Sequence, residues 1–252
     1  KMIKWLKDIT DDDRWVGGKA YNLAKLMRAN FPEYLGINVP NGFVMAGEHN
    51  RETCSDAYLA LLIAHIELTD AGGPRLAVRS SAVGEDGEEA SFAGQYHTSL
   101  NVLGWDALTA AIKECQDSLT TARADAYQQH HDVQVNEMGI VIQQMVDAVA
   151  AGVTFTVEPV ESDYETMCIE AIRGLGDALV SGETTPSTYM VNRATGPDGS
   201  DIPEPLSVDQ VTQLWRQGMA IEEYMGKPQD IEWAIDGGGT IYVVQSRPIT
   251  TL

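Results

Sequence analysis

The sequence predicts an α+β protein built as two lobes, and three observations carry that reading. At 252 residues the chain can bury a substantial core, as one large domain or as two lobes. Its first half sets amphipathic helices between short strands. From Gly139 the texture changes to apolar, β-branched segments of strand character. The lobes are expected over residues 1–138 and 139–252.

The elements follow in order. "GGKAYNLAKLMRAN" (Gly17–Asn30) is a glycine turn leading into a helix, with Ala20, Leu23, Ala24 and Met27 at helical spacing. "NVPNGFVM" reads as a turn into a short strand. "CSDAYLALLIAHIEL" reads as a helix, and "GGPRLAVRSSA" as a turn, a strand and the start of a loop. A helix is expected from Trp105 to about His131, burying Leu108, Ala111, Ile112, Cys115, Leu119 and Ala122. "GIVIQQMV", "GVTFTV" and "TMCIEAI" are strands, and "GLGDALVSGETTPS" is a glycine-bearing loop. "SVDQVTQLWRQGMAIEEYMG" is a helix with a serine cap. The closing "QDIEWAIDGGGTIYVVQSRPIT" is two strands around a glycine turn.

The net charge of −20 repels nucleic acid and anionic membranes, so neither is an expected partner. No apolar run has the length of a membrane span, about 18 residues. The start, "KMIKWLKDITDDDRW", has no signal-peptide core, and Lys1 before Met2 reads as a tag remnant. Cys54, Cys115 and Cys168 are odd in number and widely spaced, which argues against a disulfide framework or a zinc site and fits a reducing cytoplasm. After Lys25 only Lys113 and Lys227 remain among the lysines. A site for an anionic ligand must therefore draw on few basic residues.

The last hairpin carries the sharpest chemistry. A turn of two or four residues pairs Ile235 with Thr240, Glu232 with Val243 and Asp230 with Gln245. Paired residues share a face, so Asp230, Glu232, Gln245 and Arg247 point one way, and Ile231, Trp233, Tyr242 and Val244 the other. A three-residue loop would break this pattern. Carboxylate and amide oxygens on one face suit Mg²⁺, and an arginine beside them suits a phosphate oxygen. The other reading of the same face is a solvated surface on which Arg247 neutralises Asp230 or Glu232.

"GGK" at Gly17–Lys19 lacks the spacing of a P-loop, although Lys19 can serve as a point charge near a polyphosphate. Arg79 ends a strand and opens a loop of small residues, where backbone N–H groups can approach phosphates. It could equally pair with Glu85 or Asp86 at a surface turn. Ser80 and Ser81 lack a nucleophile-elbow motif, and His97, His130 and His131 lack metal-ligand spacing.

Seven fragments occur in order: "GGKAYNL", "VPNGFV", "VRSSAVGEDGEEASFAGQYHTSLNV", "IQQMV", "GVTFTVEP", "GLGDALVSG" and "PQDIEWAIDGGGTIYVVQSRPIT". Together they resemble the N-terminal ATP-binding domain of the phosphoenolpyruvate synthase and pyruvate phosphate dikinase family, a domain that also occurs in rifampin phosphotransferase. The resemblance implies an ATP-grasp fold, in which two α+β lobes hold ATP between them. It implies that Lys19 contacts ATP phosphates, that Arg79 meets the transferred phosphate, and that Gly94 and Thr98 belong to the loop covering the phosphates. Gln144, Met145 and Val146 correspond to the segment lining the adenine. Glu232 and Gln245 correspond to Mg²⁺ ligands, with Asp230 behind them, and Arg247 to a second phosphate-binding arginine.

The chain departs from the family pattern in length. Val78 follows Phe43 by only 35 residues, and "GLG" is separated from "PQDIEW" by a shortened, lysine-poor stretch with "GLGD" in place of the commoner "GLGE". The chain ends at Leu252, about where the family begins a swivelling domain bearing a phosphorylated histidine. That domain and the acceptor-substrate domain are expected to lie outside this chain. The function implied is a dikinase half-reaction, passing a phosphoryl group from Mg–ATP to that histidine, with poor turnover by this domain alone. A rifampin-type antibiotic phosphotransferase domain and a non-catalytic nucleotide-binding module are the alternatives.

Overall fold

The computed structural model describes residues 3–46, 54–70, 75–82, 97–128, 138–176, 184–199, 202–250 and 252. The strands are β1 (Ile3–Trp5), β2 (Gly42–Ala46), β3 (Arg75–Ala82), β4 (Thr98–Leu103), β5 (Met138–Gln144), β6 (Ala148–Phe155), β7 (Thr166–Arg173), β8 (Ser187–Asn192), β9 (Gln229–Asp236) and β10 (Ile241–Pro248). The helices are α1 (Gly17–Arg28), α2 (Cys54–Asp70), α3 (Gly104–Gln128) and α4 (Val208–Met225). The strands form two antiparallel sheets, in the orders β1-β2-β5-β3-β4 and β10-β9-β6-β7-β8. Among the described residues, no helix is long and apolar enough to cross a membrane.

The chain forms two compact units. The first comprises Lys1–Ala24 and Pro40–Met145, the second Lys25–Val39 and Val146–Leu252. The boundary expected after residue 138 therefore needs correction. It falls at the first residue of β5, which pairs with β2 on one side and β3 on the other. The run "GIVI" is apolar throughout because Ile140, Val141 and Ile142 are buried on both faces of a central strand. Nothing local to β5 reveals that its partners lie earlier in the chain.

In the first unit, Phe43, Met45, Val78, Ile140 and Ile142 of the sheet pack with Leu61 and Leu68 of α2 and Leu108, Ile112 and Cys115 of α3. The expected α3 face is thus buried as far as Cys115, and the side chains of Leu119 and Ala122 lie outside the described residues. Lys4 of β1 forms an ion pair with Asp13, whose Oδ2 also accepts the Thr10 N–H at 2.7 Å and the Thr10 hydroxyl at 2.8 Å. Burial opposes ionisation of Asp13, but Lys4 and the two Thr10 donors outweigh it and hold the carboxyl down at about 2. A depressed carboxyl stabilises the fold above its unfolded value of about 4, and the contribution is lost as pH falls through the folded value. Asp13→Asn is expected to cost about 1 kcal/mol at neutral pH. Thermal unfolding followed downward in pH should show wild type and variant converging between about pH 4 and the folded value. A constant gap across that window would mean that Asp13 contributes by shape rather than charge.

In the second unit, one face of the sheet packs on α4. Met167, Ile169, Tyr189, Trp233, Ile235 and Ile241 meet Val211 and Leu214. The expected serine cap of α4 is present as a capping box: Ser207 Oγ accepts the Gln210 N–H, and Gln210 Oε1 accepts the Ser207 N–H at 2.8 Å. Three strands, β1, β4 and β8, were not expected from sequence. β4 lies within the segment read as a loop. In β8, Tyr189 and Val191 are buried while Thr188, Met190 and Asn192 are exposed, a legible alternation in a short segment.

Candidate functional site

In the first unit, the end of β3 meets the start of α1. Ser81 Oγ accepts the Ala20 N–H at 3.2 Å, satisfying one of the donors that a helix N-terminus leaves open. Lys19 lies in that first turn, with Nζ 3.4 Å from the Ser80 carbonyl oxygen. Arg79 precedes Ser80 and stands opposite Thr98 in the β3–β4 ladder. Ser80 donates its N–H and its hydroxyl to the His97 carbonyl at 3.2 and 3.3 Å. Lys19, Arg79 and Thr98 are thus brought to one end of the first sheet. Gly94 lies outside the described residues, as do Glu85 and Asp86.

At the end of β5, Gln144 donates from Nε2 to the Leu68 carbonyl at 2.6 Å. Its neighbour Met145 takes the Asn101 N–H on its sulfur, and its own N–H goes to the Arg75 carbonyl at 3.0 Å. Both are tied to other elements of the first unit, while Val146 is half-buried at the start of the second.

The second unit carries the hairpin. The expected face is present, but the register that produces it differs from the expected one. Ile241 pairs with Ile235, Tyr242 with Ala234 and Val243 with Trp233, and then Gln245 pairs with Glu232 and Arg247 with Asp230. The turn is one residue off the expected parity, and an irregularity between Val243 and Gln245 absorbs one residue and restores it. Asp236 stabilises the turn, its Oδ1 accepting the N–H groups of Gly238 and Thr240, both at 2.9 Å. Tyr242 pairs with Ala234, and Val243 lies opposite the buried Trp233, where Tyr242 and Val244 were expected.

The ladders extend this face across the sheet. Glu170 pairs with Val153, Val153 with Glu232, and Glu232 with Gln245. In the next row Cys168 pairs with Phe155, Phe155 with Asp230, and Asp230 with Arg247. Glu170 therefore joins Asp230 and Glu232 as a third carboxylate on the face away from α4. Sequence reading missed it, because its place depends on strand pairings that span the chain.

Asp230 is 7% exposed; its Oδ2 accepts the Arg247 Nε–H at 2.7 Å and lies 2.7 Å from Nη2 in the ion pair. Burial pushes the Asp230 carboxyl above the ordinary carboxylate range, Arg247 opposes that rise, and Glu232 and Glu170 add to it. The pairing of Arg247 with a neighbouring carboxylate, one of the two readings of the sequence, is thus realised with Asp230. Cys115 and Cys168 are free buried thiols. Burial raises them to about 12 and about 11, with adjacent carboxylates adding, so neither is poised as a nucleophile.

Residues 57–204 and 196–252 match the family described as pyruvate phosphate dikinase, AMP/ATP-binding domain. The chain belongs to this family. The helices and two antiparallel sheets bear out the α+β reading of its sequence. A probable phosphoenolpyruvate synthase of Archaeoglobus fulgidus is 35% identical, in an alignment covering 99% of this chain and 42% of the relative. A second, of Methanocaldococcus jannaschii, is 32% identical over 100% of this chain and 27% of its own length. A rifampicin phosphotransferase of Bacillus cereus is 41% identical over 70% of this chain and 23% of its own length. The chain thus spans less than half the length of these relatives. The first alignment runs to 325 positions for a 252-residue chain, so that relative carries residues which this member of the dikinase family lacks. This agrees with the shortened segments seen in the sequence.

The donor set of the hairpin fits Mg²⁺. Glu232 and the 5%-exposed Gln245 are direct cross-strand partners, a placement that puts side-chain origins about 5 Å apart. Both offer hard oxygen donors, and Mg²⁺ commonly takes one or two protein ligands and completes its shell with water and phosphate. No group of three or more His, Cys, Asp or Glu side chains is arranged to hold a metal among the described residues.

Proposed function

We propose that this domain binds Mg–ATP and acts in the phosphoryl-transfer half-reaction of a phosphoenolpyruvate synthase-like dikinase, whose acceptor is a histidine on a separate swivelling domain. The observation that carries the reading is the cross-strand Glu232–Gln245 pair, with Arg247 beside it, in a chain of the AMP/ATP-binding domain family. Lys19, Arg79, Gly94 and Thr98 of the first unit are assigned to the phosphates, and Gln144, Met145 and Val146 to the adenine. In the second unit Arg247 is assigned to a phosphate, and Glu232 and Gln245 to Mg²⁺. When bound, the metal supplies positive charge at phosphate oxygens. The arginines and Lys19 contribute fixed charge aimed at the transferred group, which needs positioning and neutralisation more than covalent help. We place the protein in the cytoplasm.

The test is a set of four calorimetric titrations with ATP, on wild type and Glu232→Ala, each with and without Mg²⁺. Wild type is expected to bind ATP only weakly without Mg²⁺. Glu232→Ala should lose at least about tenfold in affinity with the metal present. Equal affinity in all four titrations would rule out the metal assignment. The similarity to a rifampicin phosphotransferase supports a second reading, in which the same nucleotide chemistry serves an antibiotic acceptor. Supplying a histidine domain and comparing pyruvate with rifampicin as final acceptor separates the two.

A further inference from the structure

We propose that Asp230 is a positioning residue for Arg247, fixing its guanidinium on the carboxylate-bearing face in the orientation used for a nucleotide phosphate. The inference rests on the nucleotide binding proposed above. Its basis is geometric. Asp230 and Arg247 are opposite partners in the β9–β10 ladder, and two guanidinium nitrogens converge on one carboxylate oxygen at 2.7 Å each. The Asp230 side chain is 10% exposed and that of Arg247 32%, so the clamp is buried at its carboxylate end and open at its arginine end.

An arginine side chain has about 2 kcal/mol of rotamer entropy to lose when it is ordered by a ligand. A hydrogen bond and an ion-pair contact to a buried carboxylate order it before the ligand arrives, which lowers the cost of binding. Glu170 and Glu232 share this face but belong to the adjacent row of the sheet, so Asp230 alone of the three stands directly opposite Arg247. Asparagine at position 230 keeps the shape and one acceptor but loses the charge that makes these contacts strong.

Two measurements test the inference. In the first, ATP and adenosine are titrated by calorimetry into wild type, Asp230→Asn, Arg247→Ala and the double variant, with Mg²⁺ present. Asp230→Asn is expected to weaken ATP about tenfold in the wild-type background and less than about twofold in the Arg247→Ala background. Adenosine affinity should stay within about twofold throughout. Equal losses of ATP affinity in both backgrounds, or equal losses for ATP and adenosine, would overturn the proposal, because either result makes Asp230 act apart from Arg247. In the second, the Arg247 Nε–H resonance is followed by NMR without nucleotide. It is expected to exchange slowly with solvent in wild type and at least about tenfold faster in Asp230→Asn. Equal exchange rates would overturn the clamp. If wild type binds no ATP, the nucleotide reading fails, while the NMR comparison still decides whether Asp230 holds Arg247.

Discussion

Arg247→Ala is expected to weaken ATP binding about 30-fold while leaving adenosine affinity within about twofold. The chain has 17 Lys and Arg against 37 Asp and Glu, so its net field opposes an anionic nucleotide. On the hairpin face three carboxylates, from Glu170, Asp230 and Glu232, surround a single arginine of the described rows. Removing it deletes the local cation and also leaves Asp230, 7% exposed, without its ion-pair partner. Stability of the second unit should therefore fall by about 1–3 kcal/mol, read by hydrogen exchange along β9 and β10. Arg247→Lys restores the charge but not the planar fork, so it should recover only part of both losses. Calorimetry with ATP and adenosine decides the point. A variant that loses both ligands equally would show that Arg247 supports the fold and does not meet a phosphate.

Gly17→Ala is expected to destabilise the first unit by about 3 kcal/mol or more. Two costs add. Gly17 has φ of +79°, a conformation that penalises any side chain. A Cβ there would lie 1.9 Å from the Ser81 carbonyl oxygen, which is backbone of β3 and cannot swing aside. Either α1 or the end of β3 must move, and Lys19 and Arg79 move with them. Gly104→Ala is the control, because Gly104 has φ of +80° with nothing within 4 Å of a built Cβ. It should show the conformational cost alone, about 1–2 kcal/mol. Thermal unfolding and hydrogen exchange of β3 and β5 compare the two. Equal destabilisation would mean that contact with Ser81 contributes nothing.

Local chemistry was the part of the fold that could be read in advance. The Ser207–Gln210 cap, the 3.6-residue periodicity of α3 and the carboxylate-bearing face of the last hairpin are all written within a few residues of where they act. Long-range pairing was not. The texture change at Gly139 suggested a new lobe, yet β5 completes a sheet begun at Ile3. The hairpin face emerged through a turn and an irregularity at Val244 whose effects on parity cancel, so the face matched while the individual pairs did not. Glu170 sits in a segment legible as a strand. Its membership of the carboxylate face depends on β6 lying between β7 and β9, which no local pattern specifies.

The segment Lys25–Val39 has a consequence for how the protein is made. It belongs to the second unit, where Leu26 packs with Ile221, Ile231 and Val243, and Phe31 and Ile37 pack against that cluster. Gln217 donates to the carbonyls of Leu35 and Gly36, and the Val243 N–H donates to the Asn38 carbonyl at 2.7 Å. All of Pro40–Met145 is synthesised between this segment and the rest of its unit. During translation the first unit can therefore close around β5 while Leu26, Phe31 and Ile37 still wait, uncovered, for strands not yet made. Ribosome-bound chains stalled before β10 should expose this apolar stretch to chaperones and proteases, and emergence of β10 should bury it.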